Sequence, residues 1–189
     1  MNALIGWRQV PSRKPNGKSG GGRIAAIRIF TGLRVGLAAV KALAYAQARP
    51  VAGASSLHAL ALGAGPGLVC AALEARRGEL FVLVARDGLP LTPERVVRAA
   101  DLPAWLHALG EPVTLLGAGA HSNRAVLPGF ALREDLQAPP AAEIARLCFP
   151  ALQGHAFDAA RCFALAPNYL QPSTAEVALA EGRVGGLPR

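Results

Sequence analysis

The apolar positions change period along the chain. In RIAAIRIF (23–30) they alternate, with Ile24, Ala26, Arg28 and Phe30 on one face and Ala25, Ile27 and Ile29 on the other, which predicts a strand. From residue 32 the period lengthens. Leu33, Leu37, Val40 and Ala44 form one helical stripe, with Gly36 beside it, and Val35, Ala39, Ala42, Leu43 and Ala46 form a second. Arg34, Lys41 and Tyr45 make the main polar edge. The pattern predicts a helix over 32–47, about 24 Å long, with Thr31 as its N-cap and Pro50 as its stop. A helix with two apolar faces needs two partners, one of them a sheet. The other is a helix of the same chain or of another protein. Pattern alone favours a buried core helix, while Gly36 and Ala39 leave room for close backbone approach.

Beyond Pro50, RPVAGAS (49–55) reads as a short buried strand, and Ser55 or Ser56 caps a second helix, SLHALALGA. LVCAALEA (68–75) and ELFVLVA (79–85) read as a hairpin joined by Arg76-Arg77-Gly78. TPERVVRAADLPAWLHALG (92–110) reads as one or two helices capped by Thr92 and broken near Pro103. EPVTLLGAGA (111–120) reads as a strand running into a Gly-rich turn, and FALREDL as a further strand. AAEIARLCFPALQG (141–154) and HAFDAARCFAL (155–165) are helical, with Pro150 a break or kink. Strands and helices mixed with Gly turns give an α/β or α+β fold without internal repeats.

Charge is unevenly placed. The net charge is +8, but residues 1–28 carry Arg8, Arg13, Lys14, Lys18, Arg23 and Arg28 and no acid, while the remainder is nearly balanced. The body is therefore not a basic nucleic-acid binder; only the tail, with Trp7 as its one stacking residue, has the charge to touch phosphates, and a solvated tail is the simpler reading. Residues 1–22 read as a disordered basic tail and 177–189 as a fraying end. Three isolated cysteines without a CxxC, no apolar run long enough to span a bilayer and no signal-peptide core predict a cytoplasmic protein without membrane contact.

Candidate chemistry is sparse. Gly117 and Gly119 in LGAGAHSN are the weak nucleotide-binding candidates, because a Gly-rich turn after a strand can cradle phosphate. The segment fits neither GxxxxGK[ST] nor a complete GxGxxG, and an ordinary turn is the simpler reading. Glu74 and Glu79 flank the Arg-Arg-Gly turn and are expected to face each other across the hairpin as part of a surface ion-pair cluster. His58, His107, His121 and His155 are scattered, and no serine sits in GxSxG, so no catalytic or metal constellation is expected.

Four blocks in order resemble the bacterial TsaB family of tRNA threonylcarbamoyladenosine biosynthesis. FTGLRVGLAAVKALAYAQARPVAGASSLHALA (30–61) resembles the family's Phe-Thr-Gly-Leu-Arg signature, helix and Ser-Ser-Leu. LEARRGELFVLV (73–84) resembles its Asp-Ala-Arg-Arg-Gly-Glu-Val-Tyr hairpin, with Glu74 and Phe81 as departures. EPVTLLGAGA resembles its next strand end, and PNYLQPSTAE (167–176) its closing Pro-x-Tyr-Leu-Arg-Pro, with Gln171 for Arg. The resemblance implies an actin-like ATPase fold of two RNase-H-like lobes: a remnant of the first over 23–64 carrying the interface helix, and a second over 65–176. It implies a non-catalytic subunit that binds and activates a TsaD-like threonylcarbamoyltransferase. Leu33, Gly36, Leu37, Val40 and Ala44 are its expected partner contacts, with Arg34, Lys41 and Tyr45 as their polar rim. A TsaE-like ATPase, and tRNA reached indirectly, complete the implied partners. No cofactor is implied for the chain itself, ATP being held mainly by partners; self-pairing stays open. Residues before 30 resemble nothing in the family, so the first lobe is expected to be incomplete, through truncation, frameshift or a misassigned start, and to leave an apolar patch of roughly several hundred Å² exposed. The alternatives are a nucleotide-binding ATPase, a peptidase-like enzyme and a nonfunctional truncated paralogue.

Overall fold

The structure is a computed structural model that describes residues 22–76, 78–171, 179 and 182, with side chains described from Gly32 onward. The expected tails, 1–22 and 177–189, lie almost wholly outside the described residues. The elements in order are α1 (Gly22–Ala46), α2 (Ser56–Leu62), β1 (Leu68–Glu74), β2 (Glu79–Arg86), β3 (Leu89–Pro90), β4 (Arg95–Arg98), α3 (Leu102–His107), β5 (Thr114–Leu116), α4 (Ala118–Ser122), β6 (Ala131–Leu132), α5 (Ala141–Leu152) and α6 (Ala159–Ala164).

The sheet runs β3-β2-β1-β5-β6, and β4 pairs with β2 on the same side as β3. β1 and β2 are antiparallel, with Leu68 opposite Arg86 and Glu74 opposite Leu80. β1–β5 and β5–β6 are parallel. Central β1 is apolar on both faces because both are covered. Leu68, Cys70 and Ala72 point toward Leu80, Val82, Val84, Leu102 and Leu106, so α3 caps that side. Val69 and Ala71 point the other way, toward Leu57, Leu60, Leu83 and Leu116, under α2. Ser55 caps α2 as expected: its Oγ accepts from the His58 backbone N–H at 3.1 Å, a contact worth about 1 kcal/mol.

Four expectations change. RIAAIRIF is the beginning of α1, not a strand, so Thr31 lies inside the helix rather than at its N-terminus; the segment pairs with no strand of the sheet, and an isolated strand leaves its backbone groups unpaired. Residues 49–55 form no strand. In the stretch 92–110, Arg95–Arg98 is an edge strand pairing with Glu79–Val82, which suits the β-branched Val96 and Val97. Pro103 there opens α3 rather than breaking a helix. Finally, the segment after β5 is the short helix α4 rather than a turn.

Candidate functional site

At 25 residues, α1 is about 37 Å long. Its main packing partner among the described elements is α6, not the sheet. That contact lies near its C-terminal end and covers one face. Ala44 is 8% exposed, and Gly36, Leu37, Val40 and Lys41 are half-buried. Two hydrogen bonds and two ring contacts hold this face. Lys41 Nζ donates to the Phe163 carbonyl at 2.8 Å, Cys162 Sγ donates to the Lys41 carbonyl at 3.7 Å, and the Tyr45 ring meets Phe157 edge-on and Phe163 at a tilt, with centroids 5.8 and 5.6 Å apart.

The chain itself therefore turns toward α6 the first stripe read from the sequence, Leu37, Val40 and Ala44 with Gly36 at its margin. Leu33 continues that stripe one turn earlier and is 53% exposed. The second stripe stays open: Val35 is 63% and Leu43 48% exposed, and Ala39, Ala42 and Ala46 are exposed between them. Arg34 and Tyr45 are exposed along the polar edge. A methyl group added at Gly32 or Gly36 would meet no atom within 4 Å. Nothing among the described residues requires glycine there, although mid-helix glycine costs about 1 kcal/mol relative to alanine.

The Gly117–Gly119 pair has the opposite environment. Gly117 adopts φ +96°, and a Cβ on it would lie 2.2 Å from the Ala72 carbonyl oxygen; one on Gly119 would lie 2.7 Å from the Leu73 carbonyl carbon. Both glycines let α4 press directly on β1, and this packing accounts for their identity. α4 spans only five residues.

The remaining candidates disperse. Glu74 faces Leu80 across the hairpin, whereas Glu79 stands opposite Arg98 of β4 in the strand register and its carboxylate accepts from Gln171 Nε2 at 2.7 Å, so the two carboxylates do not oppose each other as expected. Ser55 is occupied as a cap and also donates to Glu94. His58 Nε2 lies 3.0 Å from the Gly88 carbonyl, and His121 pairs with Glu134 at 3.0 Å. Burial pushes the Cys70 thiol up to about 12, which leaves it protonated and unreactive. Among the described residues no group of three His, Cys, Asp or Glu side chains is placed to hold a metal ion. No described helix is long and apolar enough to cross a membrane.

The sequence reading missed Glu94. Its carboxylate accepts from Ser55 Oγ, 39 residues away, and from Asn168 Nδ2, 74 residues away, at 3.0 Å. No local pattern announces partners at such separations.

Comparison with known proteins agrees with this architecture. Residues 29–104 match the family model of TsaD, tRNA N6-adenosine threonylcarbamoyltransferase. The tRNA threonylcarbamoyladenosine biosynthesis protein TsaB of Bacillus subtilis (strain 168) is 30% identical over 162 residues, covering 78% of this chain and 67% of that protein. Among solved structures, YeaZ from Pseudomonas aeruginosa is 28% identical with a TM-score of 0.59, over 75% of this chain and 69% of that one. A crystal structure from the same organism, described as an uncharacterized protein with similarity to peptidase YEAZ, is 25% identical with a TM-score of 0.59, over 75% and 68%. The fold is α/β, of the actin-like ATPase type, and the chain belongs to the TsaB family.

Proposed function

We propose that this chain serves tRNA threonylcarbamoyladenosine biosynthesis as a non-catalytic subunit that docks through α1 on a TsaD-like paralogue and stabilises the active form of that enzyme. The observation that carries the proposal is the open apolar face of α1: Val35, Leu43 and three alanines lie exposed on one side of the helix, and Leu33 adds to them. Such a contiguous patch marks an interaction surface. Gly32 and Gly36, which packing within the described chain does not require, permit a second helix to approach at backbone distance. Arg34, exposed on the polar edge, forms the rim, whereas Lys41 and Tyr45 are engaged with Phe157 and Phe163 on the covered side. Leu37, Val40 and Ala44, turned toward α6, set the angle at which the open face is presented. Contacts with a TsaE-like ATPase and with tRNA run through the paralogue, which with its own partners holds the ATP, in the cytoplasm.

The test is co-purification of the full chain with its TsaD-like paralogue. Val35→Glu places an unpaired carboxylate in the docked interface, which costs several kcal/mol, so capture is lost. In the free chain the same side chain faces water, so the thermal midpoint stays within about 2 °C. Unchanged capture overturns the proposal. A shift of the variant from dimer to monomer, with capture unchanged, assigns the face to self-pairing instead.

A further inference from the structure

The segment from Phe157 to Gln171 touches three separate parts of the molecule in succession. Its first part, Phe157 to Phe163, grips α1 through Tyr45 and Lys41. Next, Leu165 lies against Gly53 of the link between α1 and α2, so closely that a Cβ on Gly53 would sit 3.1 Å from Leu165 Cδ1. Its last part is tied to the sheet: Asn168 Nδ2 donates to Glu94 just before β4, at 3.0 Å, and Gln171 Nε2 donates to Glu79 at the start of β2, at 2.7 Å. Glu94 simultaneously accepts from Ser55, the cap of α2.

α1 has its main packing partner in α6. α6 in turn continues directly into these two amide–carboxylate ties. We infer that residues 157–171 form a strap that positions α1 on the body of the protein, with Asn168–Glu94 as its latch, so that opening the latch frees α1. The helix that docks and the latch on the sheet edge then share one equilibrium, and a partner that holds α1 in its strapped position tightens the latch by the same factor. The functional consequence rests on the docking proposal; the coupling itself does not. Asn168 and Glu94 act through the strap and are positioning residues.

The hydrogen-bond polarity gives a clean test. Asn168→Asp sets two carboxylates against each other and opens the latch. Adding Glu94→Gln in the same chain restores a donor opposite the introduced carboxylate while keeping an oxygen to accept from Ser55. Glu94→Gln alone is tolerated, because the Asn168 amide can turn and present its oxygen. Hydrogen exchange of the full-length free chain reads the result residue by residue. In Asn168→Asp, amides of the strap and of residues 37–46 exchange about three- to tenfold faster together, and the double variant returns both to the parent rates. Faster exchange in the strap with α1 unchanged overturns the coupling, and unchanged exchange in both overturns the latch. Should Asn168→Asp fail to fold, Gln171→Glu with and without Glu79→Gln asks the same question at the second tie. The docking proposal fails separately, by unchanged capture of Val35→Glu, while these exchange rates stand.

Discussion

β1 and α1 are both apolar on two sides, yet they stand in opposite environments. β1 sits mid-sheet with α2 over one face and α3 over the other, and Cys70, Ala71 and Ala72 are fully buried. Among the described residues α1 turns one of its two apolar faces to the chain, and that face meets a short helix of six residues. The glycines show the same contrast. Next to β1, Gly117 and Gly119 are glycine because backbone lies where a Cβ would go; in α1, Gly32 and Gly36 are glycine although that space is open. Packing among the described residues explains glycine in one region and not in the other, and the docking proposal rests on that difference.

The largest effect should fall on the body. Gly117→Ala must place its Cβ 2.2 Å from a backbone oxygen at φ +96°, and neither the carbonyl nor the positive φ can give way without moving β1. A loss of about 3–5 kcal/mol is expected, read as a lower urea midpoint with the slope unchanged. A loss under about 1 kcal/mol would show that α4 and β1 separate easily, and the contrast with α1 would dissolve.

What can be read from the sequence divides along the same line. The β1–β2 hairpin, the Ser55 cap and the helices α5 and α6 are legible, because each depends on residues close in the chain: strand-like runs bracketing Arg-Arg-Gly, a Ser before Leu57, an apolar period between Pro140 and Gly154. β4 reads wrongly because Thr92-Pro93 imitates a helix start. What decides it is pairing with β2, which no window around Val96 and Val97 contains. The two stripes of α1 are legible as stripes. Which of them the chain keeps for itself is not, since that depends on where α6 arrives, about 120 residues later along the sequence. Glu94 is invisible for the same reason.

A methyl group sharpens the comparison with a reversal of sign. Gly36→Ala adds helix propensity where the free chain has room, so it should stabilise α1 by about 0.5–1 kcal/mol and raise the thermal midpoint by about 2–3 °C. The same methyl obstructs a helix that needs backbone-distance approach, so capture of the paralogue should weaken. A substitution that strengthens the fold and weakens the complex separates an interface glycine from a merely tolerated one. If both rise, Gly36 has no role in docking.

The smallest effect concerns acid, and it belongs to the body alone. Arg133 holds Asp135 in a two-pronged pair, with Nε to Oδ1 at 2.8 Å and Nη2 to Oδ2 at 2.7 Å, and also donates to the Ala64 carbonyl at 3.2 Å. The guanidinium hydrogen bonds hold the Asp135 carboxyl down at about 2, below the ordinary value of about 4. A folded-state value lowered in this way contributes stability that is fully present above about pH 4 and is lost as the pH falls through about 2. The pair is exposed, so solvent screening keeps the contribution small. Carboxyl chemical shifts followed from about pH 6 to about pH 1.5 should show Asp135 titrating at about 2, and Arg133→Ala should bring it back toward about 4. Among the described residues the Arg133 side chain bonds Asp135 and the turn after α2, so at neutral pH, where the carboxylates of the strap's ties keep their charge, Arg133→Ala should not speed exchange at residues 37–46. If it does, the strap is not what positions the helix.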